Sequence, residues 1–276
     1  MAEAKNIDIA VVGAGPAGIA AALALAHGGA SVALIGLPPA AGAPRALDTR
    51  TAALLESSID MLKALGLWDA LLPHAAPLKA IRIIDASGNL LRAPDVEFSA
   101  NELGLEAFGY NIANTALVDV LYSQAAAALP LLQPSNVDLI ALAPDEARLS
   151  GKQGWQISAR LVVGADGRNS ICREAAHIPA SVQQDEQAAI ATSFTHAAPH
   201  RGVSIELHRK GGSVTTVPLT DAFASSVIWV GESAEIDGLM RLDAKGFETA
   251  LAGRLDGLFG RIGEIGARAH FPVTRL

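Results

Sequence analysis

Residues 7–36, IDIAVVGAGPAGIAAALALAHGGASVALIG, limit the possible folds more than any other part of the chain. A short β-branched run ends in a glycine-rich turn, an alanine-rich helix follows and closes at Gly28-Gly29, and a second apolar run comes after it. That order is a βαβ unit. In Gly13-Ala14-Gly15-Pro16-Ala17-Gly18 each glycine has a separate task. Gly13 permits the tight turn, Gly15 lets backbone approach a pyrophosphate, and Gly18 lets helix pack on strand. The free N–H groups at the helix start then face phosphate charge. The spacing predicts a dinucleotide ligand without deciding between NAD and FAD.

The same stretch contains an uncharged segment, residues 9–26, that approaches the length of a membrane span. Three glycines and Pro16 interrupt it, and Glu3 and Asp8 outweigh Lys5 where a signal peptide would be positive, so strand-turn-helix is the better account. A carboxylate for the adenosine ribose should end the second strand, about 20 residues beyond the glycine motif. Gly36 stands there instead. An ionised acceptor to a ribose hydroxyl is worth about 1.5–3 kcal/mol, so backbone groups or Asp48 would have to compensate.

With 276 residues, half of them apolar, the chain can bury a sizeable core. The net charge of -7 and the lack of a basic run exclude nucleic acid as a partner. A single cysteine, Cys172, excludes an internal disulfide and a cysteine cluster for metal, which fits a reducing, cytoplasmic compartment.

Further along, a Pro/Gly/Ala-rich loop at 37–46 leads to residues 49–72, where Leu54, Leu55, Ile59, Leu62 and Leu65 predict a helix ended or bent at Gly66 to Trp68. KAIRIIDASGNLLRA predicts a hairpin around Ser87-Gly88-Asn89, and TALVDVLYSQAAAAL another helix. A second hairpin turning at Lys152 to Gly154 delivers its return strand into LVVGADGRNSICRE, residues 161–174. Beyond Ile178 the texture becomes strand-like in AAIATSFTH, VSIELHR, SVTTVPL and SSVIWVG, with a turn at Lys210 to Gly212. A last helix over 244–256 precedes a strand in HFPVTRL.

Residues 161–174 form a second strand and glycine turn entering a helix, and VVGADGRNSICRE closely resembles the Asp-Gly fingerprint of the FAD-dependent aromatic hydroxylases, the p-hydroxybenzoate hydroxylase-like family. Within that family the chain is most similar to the ubiquinone-biosynthesis monooxygenases. DTRTAALLESSIDMLKALGLW, GYNIANTALVDVL and the run from AAIATSFTH through HFPV carry the likeness along essentially the whole sequence. The resemblance implies an α/β fold: a discontinuous, Rossmann-like FAD-binding domain, 1–74 and 104–178, with an interleaved β-sheet substrate domain, 75–103 and 179–276. It places Asp166 and Gly167 on the flavin side of the cofactor, matches Arg50 to the family's cofactor-side arginine helix, and sets Asn114 in a segment bordering the flavin. From the residues alone, Asp166 or Asn114 would serve equally as a helix N-cap, and Arg50 as a surface charge.

By the same resemblance NAD(P)H reduces the flavin, which with O2 hydroxylates a phenolic ring, that of a polyprenylated ubiquinone precursor. The flavin does the hard chemistry, so no catalytic side chain is assigned and no metal is expected. A lipid substrate implies contact with a membrane surface or with a ubiquinone-biosynthesis complex. Family members continue into a third fingerprint that holds the ribityl chain and flavin ring, and the sequence stops at Leu276 before it. Two alternatives follow: a truncated, non-catalytic chain that binds a partner or lipid, or a flavin-dependent reductase.

Other signals are discounted. His196 and His200 have helical metal-pair spacing, but Pro199 lies between them. Cys172 reads as a small buried residue rather than a reactive thiol. Trp68, Trp155 and Trp229 are isolated, unlike the paired tryptophans of flavin-dependent halogenases.

Overall fold

The computed structural model describes residues 5–38, 48–89 and 92–275. Its strands, numbered along the chain, form three sheets. The first runs in the order Leu131–Gln133 (β8), Val32–Ile35 (β2), Lys5–Val12 (β1), Gln156–Gly164 (β11), Ala147–Ser150 (β10) and Leu139–Leu142 (β9). The strands from β8 to β11 are parallel, and β10 and β9 are antiparallel additions. Helix Pro16–His27 (α1) joins β1 to β2, as the βαβ pattern predicts.

All four residues of β2 are buried because both faces of the sheet are covered, which explains a continuous apolar run rather than an alternating one. Val11, Val32 and Leu34 pack with α1 and helix Asn114–Ala128 (α4). Ala10, Val12, Ala33 and Ile35 pack on the other side with Ile140, Leu149 and Ile157.

The second sheet runs Ile262–Ile265 (β16), Gln183–His196 (β12), Ala224–Glu232 (β15), Gly212–Pro218 (β14), Val203–Arg209 (β13), Ala80–Asp85 (β5) and Val96–Ser99 (β6). Strand Ala269–Arg275 (β17) pairs with β12 beside β16. Helices Ser233–Arg241 (α6) and Ala244–Leu255 (α7) cover one face, where Ile190, Phe194, Leu207, Val214 and Trp229 meet Ile236, Phe247 and Leu251. Alternate residues of β14, Thr215 and Val217 among them, are only half-buried and line the opposite face.

A small third sheet, Thr51–Leu55 (β3), Gly109–Ala113 (β7) and Ala75–Pro77 (β4), lies between the other two along the chain. The segment between β4 and β7 leaves for the large sheet as β5 and β6 and then returns. Its two ends bond each other: Leu78 N–H donates to Gly109 O at 2.9 Å, and Phe108 N–H to Leu78 O at 2.8 Å.

Several sequence expectations are corrected. Residues 49–72 are not one helix. They open with β3, become helix only at Glu56–Ala64 (α2), and resume at Trp68–Leu71 (α3) after the Gly66 corner. Pairing of β3 with β7 across all five residues overrides the helical spacing, and Leu55, expected on the apolar face, is exposed. Arg50 therefore precedes a strand rather than riding a helix.

In the hairpin after β5 the described return strand is β6, and Arg92 and Ala93 of the expected return segment lie outside it. The Asp85 carboxylate accepts from the N–H groups of Ser87 and Ala93 and shapes the connection, in which residues 90 and 91 lie outside the described residues. The same is true of residues 39–46 of the Pro/Gly/Ala-rich loop and of Leu276. The hairpin at 152–154, the four strand runs beyond Ile178 and helix α7 fall where the pattern puts them. Helix α6 had no recognised sequence signal. No helix among the described residues is long and apolar enough to cross a membrane.

Candidate functional site

The two glycine corners of the sequence meet at the carboxyl ends of β1 and β11. These neighbours are in parallel register through Val12 and Gly164, and Ala165 N–H donates to Val12 O at 2.7 Å. Gly13 has φ +116°, open to glycine and strained for other residues. A Cβ there would run into the Ala165 carbonyl and lie 2.8 Å from Asp166 N. A Cβ on Gly18 would strike the Gly13 carbonyl, so α1 packs directly on its own turn. Gly15 differs: a Cβ there would meet nothing within 4 Å, so its backbone faces open space.

Pro16 occupies the first turn of α1, no side chain among the described residues caps that helix end, and no acidic residue lies in its first turn. Ala14 is buried beneath the motif, and Ala17 is exposed on the helix. The result is an uncapped helix N-terminus under an open backbone ledge, a geometry suited to an anion.

The second corner turns at Gly167, φ +83°, into the five-residue helix Ile171–Ala175 (α5). Ser170, not Asp166, is its N-cap, accepting from Arg173 N–H. Asp166 stands one layer behind and accepts from the Ser170 hydroxyl at 2.6 Å and Cys172 N–H at 3.2 Å. Burial pushes its carboxyl up, but these hydrogen bonds outweigh that and hold it below the ordinary value. Burial and the neighbouring Asp166 carboxylate push the Cys172 thiol up to about 12, which leaves it inert.

Arg50 and Asn114, far apart in sequence, are joined by Asp48. The Asp48 carboxylate accepts from Arg50 Nε at 2.8 Å, Arg50 Nη2 at 2.9 Å, Arg50 N–H at 3.2 Å and Asn114 Nδ2 at 3.3 Å. Burial raises its pKa, and the hydrogen bonds from Arg50 and Asn114 bring it below normal. Those four donors fill the acceptor sites of a carboxylate, so Asp48 does not replace the missing ribose acid at Gly36. Asn114 is the first residue of α4 and not its cap. Its side chain is spent on Asp48, while its N–H donates to Arg50 O at 3.0 Å.

Arg50 also stacks over Phe271 of β17, 4.8 Å from the ring centroid. On either side of it, Thr49 Oγ1 donates to Ala191 O at 2.6 Å, and Thr51 Oγ1 lies 3.3 Å from Ser226 Oγ. Three consecutive side chains thus hold the start of β3 to the open face and edge of the large sheet. Three residues beyond Phe271, about 10 Å along the strand, Thr274 accepts from Arg168 Nη1 at 3.3 Å. Strand β17 therefore touches both the Arg50 group and the Asp166 turn.

The family described as FAD binding domain matches residues 6–240. The chain belongs to this FAD binding domain family. It is 30% identical over 273 residues to the ubiquinone hydroxylase UbiL of Rhodospirillum rubrum, covering 98% of this chain and 62% of that protein. It is 31% identical over 274 residues to the 3-demethoxyubiquinol 3-hydroxylase of Escherichia coli, covering 97% and 68%. The p-nitrophenol 4-monooxygenase PnpA of Pseudomonas putida shares the fold, with a TM-score of 0.73 at 17% identity over 98% of this chain and 69% of that one. The chain thus spans roughly three-fifths to two-thirds of the length of these proteins.

The residues present fit FAD at its pyrophosphate. The ledge at Gly15 is a cradle that a side chain would fill, and among the described residues no side chain caps the helix end beneath it. The ribose position fits less well, because Gly36 carries no acceptor side chain and packs 2.6 Å from Ala14 N when a Cβ is added.

Both discounted histidines are committed to the protein. His196 is buried; its Nδ1 is 2.7 Å from Ala198 O and Nε2 is 3.0 Å from Ser225 Oγ. His200 accepts from Gly202 N–H at Nδ1 and faces two carbonyls through Nε2. Among the described residues no group of three or more His, Cys, Asp or Glu is placed to hold a metal. Phe271, Thr49, Thr51 and Arg168 were not recognised from sequence. Asp48, Arg50 and Asn114 were each singled out from the sequence without being joined, and nothing local marks a phenylalanine some 220 residues away as their neighbour.

Proposed function

We propose that this chain serves an FAD-dependent monooxygenase that uses NAD(P)H and O2 to hydroxylate a phenolic ring, that of a polyprenylated ubiquinone precursor. The observation that carries the reading is the contact between the two glycine corners, in which the Gly13 turn lies directly against Ala165 and the backbone of Asp166. A single elongated cofactor can then lie across both. The relatives named ubiquinone hydroxylase and 3-demethoxyubiquinol 3-hydroxylase support the substrate class.

In this reading Gly13, Ala14, Gly15, Pro16, Ala17 and Gly18 bind the pyrophosphate through backbone N–H groups and the α1 dipole. Asp166 fixes the second turn so that the Gly167 backbone borders the flavin. Arg50, backed by Asn114, lies where the nicotinamide docks. Bound FAD supplies the redox and oxygen-transfer chemistry. The chain's residues orient the cofactor and the ring and keep water from the reacting atoms.

We divide the chain into a cofactor part, 1–74 and 104–178, and a substrate part, 75–103 and 179–276. The small sheet, with β4 from one part and β3 and β7 from the other, is their seam. A prenylated substrate calls for a peripheral contact with membrane or a partner protein.

The test is to incubate the purified chain with FAD, remove free cofactor, record the visible spectrum, and assay NAD(P)H oxidation with soluble and prenylated phenols. A retained, shifted flavin spectrum and a product carrying one added oxygen are expected. A folded chain that retains no flavin overturns the cofactor reading, and NAD(P)H oxidation without hydroxylated product points to a reductase. Replacing Arg50 with alanine is expected to weaken FAD or raise KM for NAD(P)H; unchanged values for both would remove it from the site.

A further inference from the structure

We infer that Asp48 is a positioning residue: with Phe271 it fixes the Arg50 guanidinium, so that Arg50 meets its ligand through aimed hydrogen bonds rather than through free charge. This rests on the proposed placement of Arg50 beside the cofactor or its nicotinamide reductant.

A guanidinium offers five N–H donors in a rigid plane and two faces. Arg50 commits Nε and Nη2 to the two Asp48 oxygens in a fork at 2.8 and 2.9 Å, and sets one face on Phe271. Its Nη1 has no partner among the described residues, and the side chain is 50% exposed, so one edge of the plane remains available.

An isolated ion pair between neighbours in a loop fixes little, because both side chains keep their freedom. Here each member has outside anchors. Asp48 is held by Asn114 Nδ2, and the Arg50 carbonyl by Asn114 N–H, both from the first residue of α4. The Phe271 ring comes from β17, and Thr49 and Thr51 tie the flanking backbone to Ala191 and Ser226. The guanidinium is thus set by one loop, one helix start and the large sheet together. Such an arrangement removes the ordering cost that a free arginine would meet on binding.

The same contact cancels the charge locally. At close range the pair presents no net charge, so its attraction to a phosphate falls off faster than that of a lone cation. The two ways in which Arg50 can act predict opposite signs for Asp48→Asn. That change keeps the side-chain shape and removes one negative charge near an anionic ligand. A free-charge role for Arg50 makes the variant bind more tightly; a positioning role makes it bind more weakly.

The experiment measures dissociation constants of FAD, by quenching of flavin fluorescence, and of NADPH on the FAD-loaded chain, for wild type, R50A, D48N, F271L and the D48N/R50A double variant. Melting temperatures establish that each is folded. Whichever ligand R50A weakens, D48N is expected to weaken as well, by about tenfold, the scale of one hydrogen bond to a charged group. In the R50A background D48N is expected to add nothing, because Asp48 acts only through Arg50. F271L, which keeps an apolar side chain but removes the ring, is expected to shift binding in the same direction as D48N.

Tighter or unchanged binding by D48N alongside weaker binding by R50A overturns the positioning role and leaves Arg50 at the site. Additive losses in the double variant also overturn it, since they mean that Asp48 acts on the fold independently of Arg50. If R50A changes neither ligand, the placement of Arg50 fails and this inference fails with it.

Discussion

Gly36 occupies the position where a ribose-binding carboxylate would be expected, and an added Cβ there would lie 2.6 Å from Ala14 N and 2.9 Å from Ala14 Cβ. The second strand therefore approaches the glycine turn too closely for a side chain. Gly36→Glu is expected to lower stability by about 1–3 kcal/mol, as overpacking does, without tightening FAD. Urea unfolding with an FAD titration checks this, and a gain in affinity at unchanged stability would sink the account. Asp166 gives a pH-dependent case. Its folded pKa is depressed below 3.8, so the stability it contributes is present above that value and is lost as pH falls through the folded pKa. Asp166→Ala is expected to cost about 1 kcal/mol at neutral pH, in the range of a lost helix cap. The difference from wild type should shrink as the buffer is taken below 3.8. The glycine pattern and the Asp-Gly pair were legible in the sequence because each is local, with its physical reason confined to a few residues. The partners of Arg50 were not, since Asn114 and Phe271 reach it only through the packing of α4 and β17.

Among elements, β3 shows where periodicity misleads. Thr51 to Leu55 carry apolar residues compatible with a helical face, yet β7 offers a full ladder, and the absent side chain of Gly109 admits the Leu54 carbonyl. The strands beyond Ile178 were legible because one face is covered by α6 and α7 and the other is only half-buried, which produces alternation. Strand β7 also supplies a polar tie to the large sheet. Asn111 is buried at 2% exposure and donates from Nδ2 to the carbonyl oxygen of Pro218, the last residue of β14, at 2.8 Å. Asn111→Ala leaves that carbonyl without its donor and is expected to cost about 1–3 kcal/mol. A shift of the urea midpoint at unchanged slope would show it, whereas a midpoint equal to wild type would mean that solvent replaces the bond.

Across the whole molecule, the three tryptophans divide among the three cores. Trp68 lies in the core under α1 and α4, Trp155 packs against the core on the other side of the first sheet, and Trp229 lies under α7. The chain passes between the sheets several times, at β4, β7 and again after α5, so neither large sheet consists of one continuous stretch. Single-tryptophan variants are therefore expected to report the same urea midpoint, coincident with loss of far-ultraviolet circular dichroism. Separate midpoints for Trp68 and Trp229 would show that the two sheets unfold independently. The excursion between Leu78 and Phe108 has a different consequence. Because its ends are already hydrogen-bonded to each other, a short turn could close the gap if the excursion were removed, and a longer one could be spliced in without disturbing β4 or β7. The hairpin of β5 and β6 is in effect an exchangeable cassette on the rim of the large sheet, replaceable without touching the glycine corners of β1 and β11 in the other sheet.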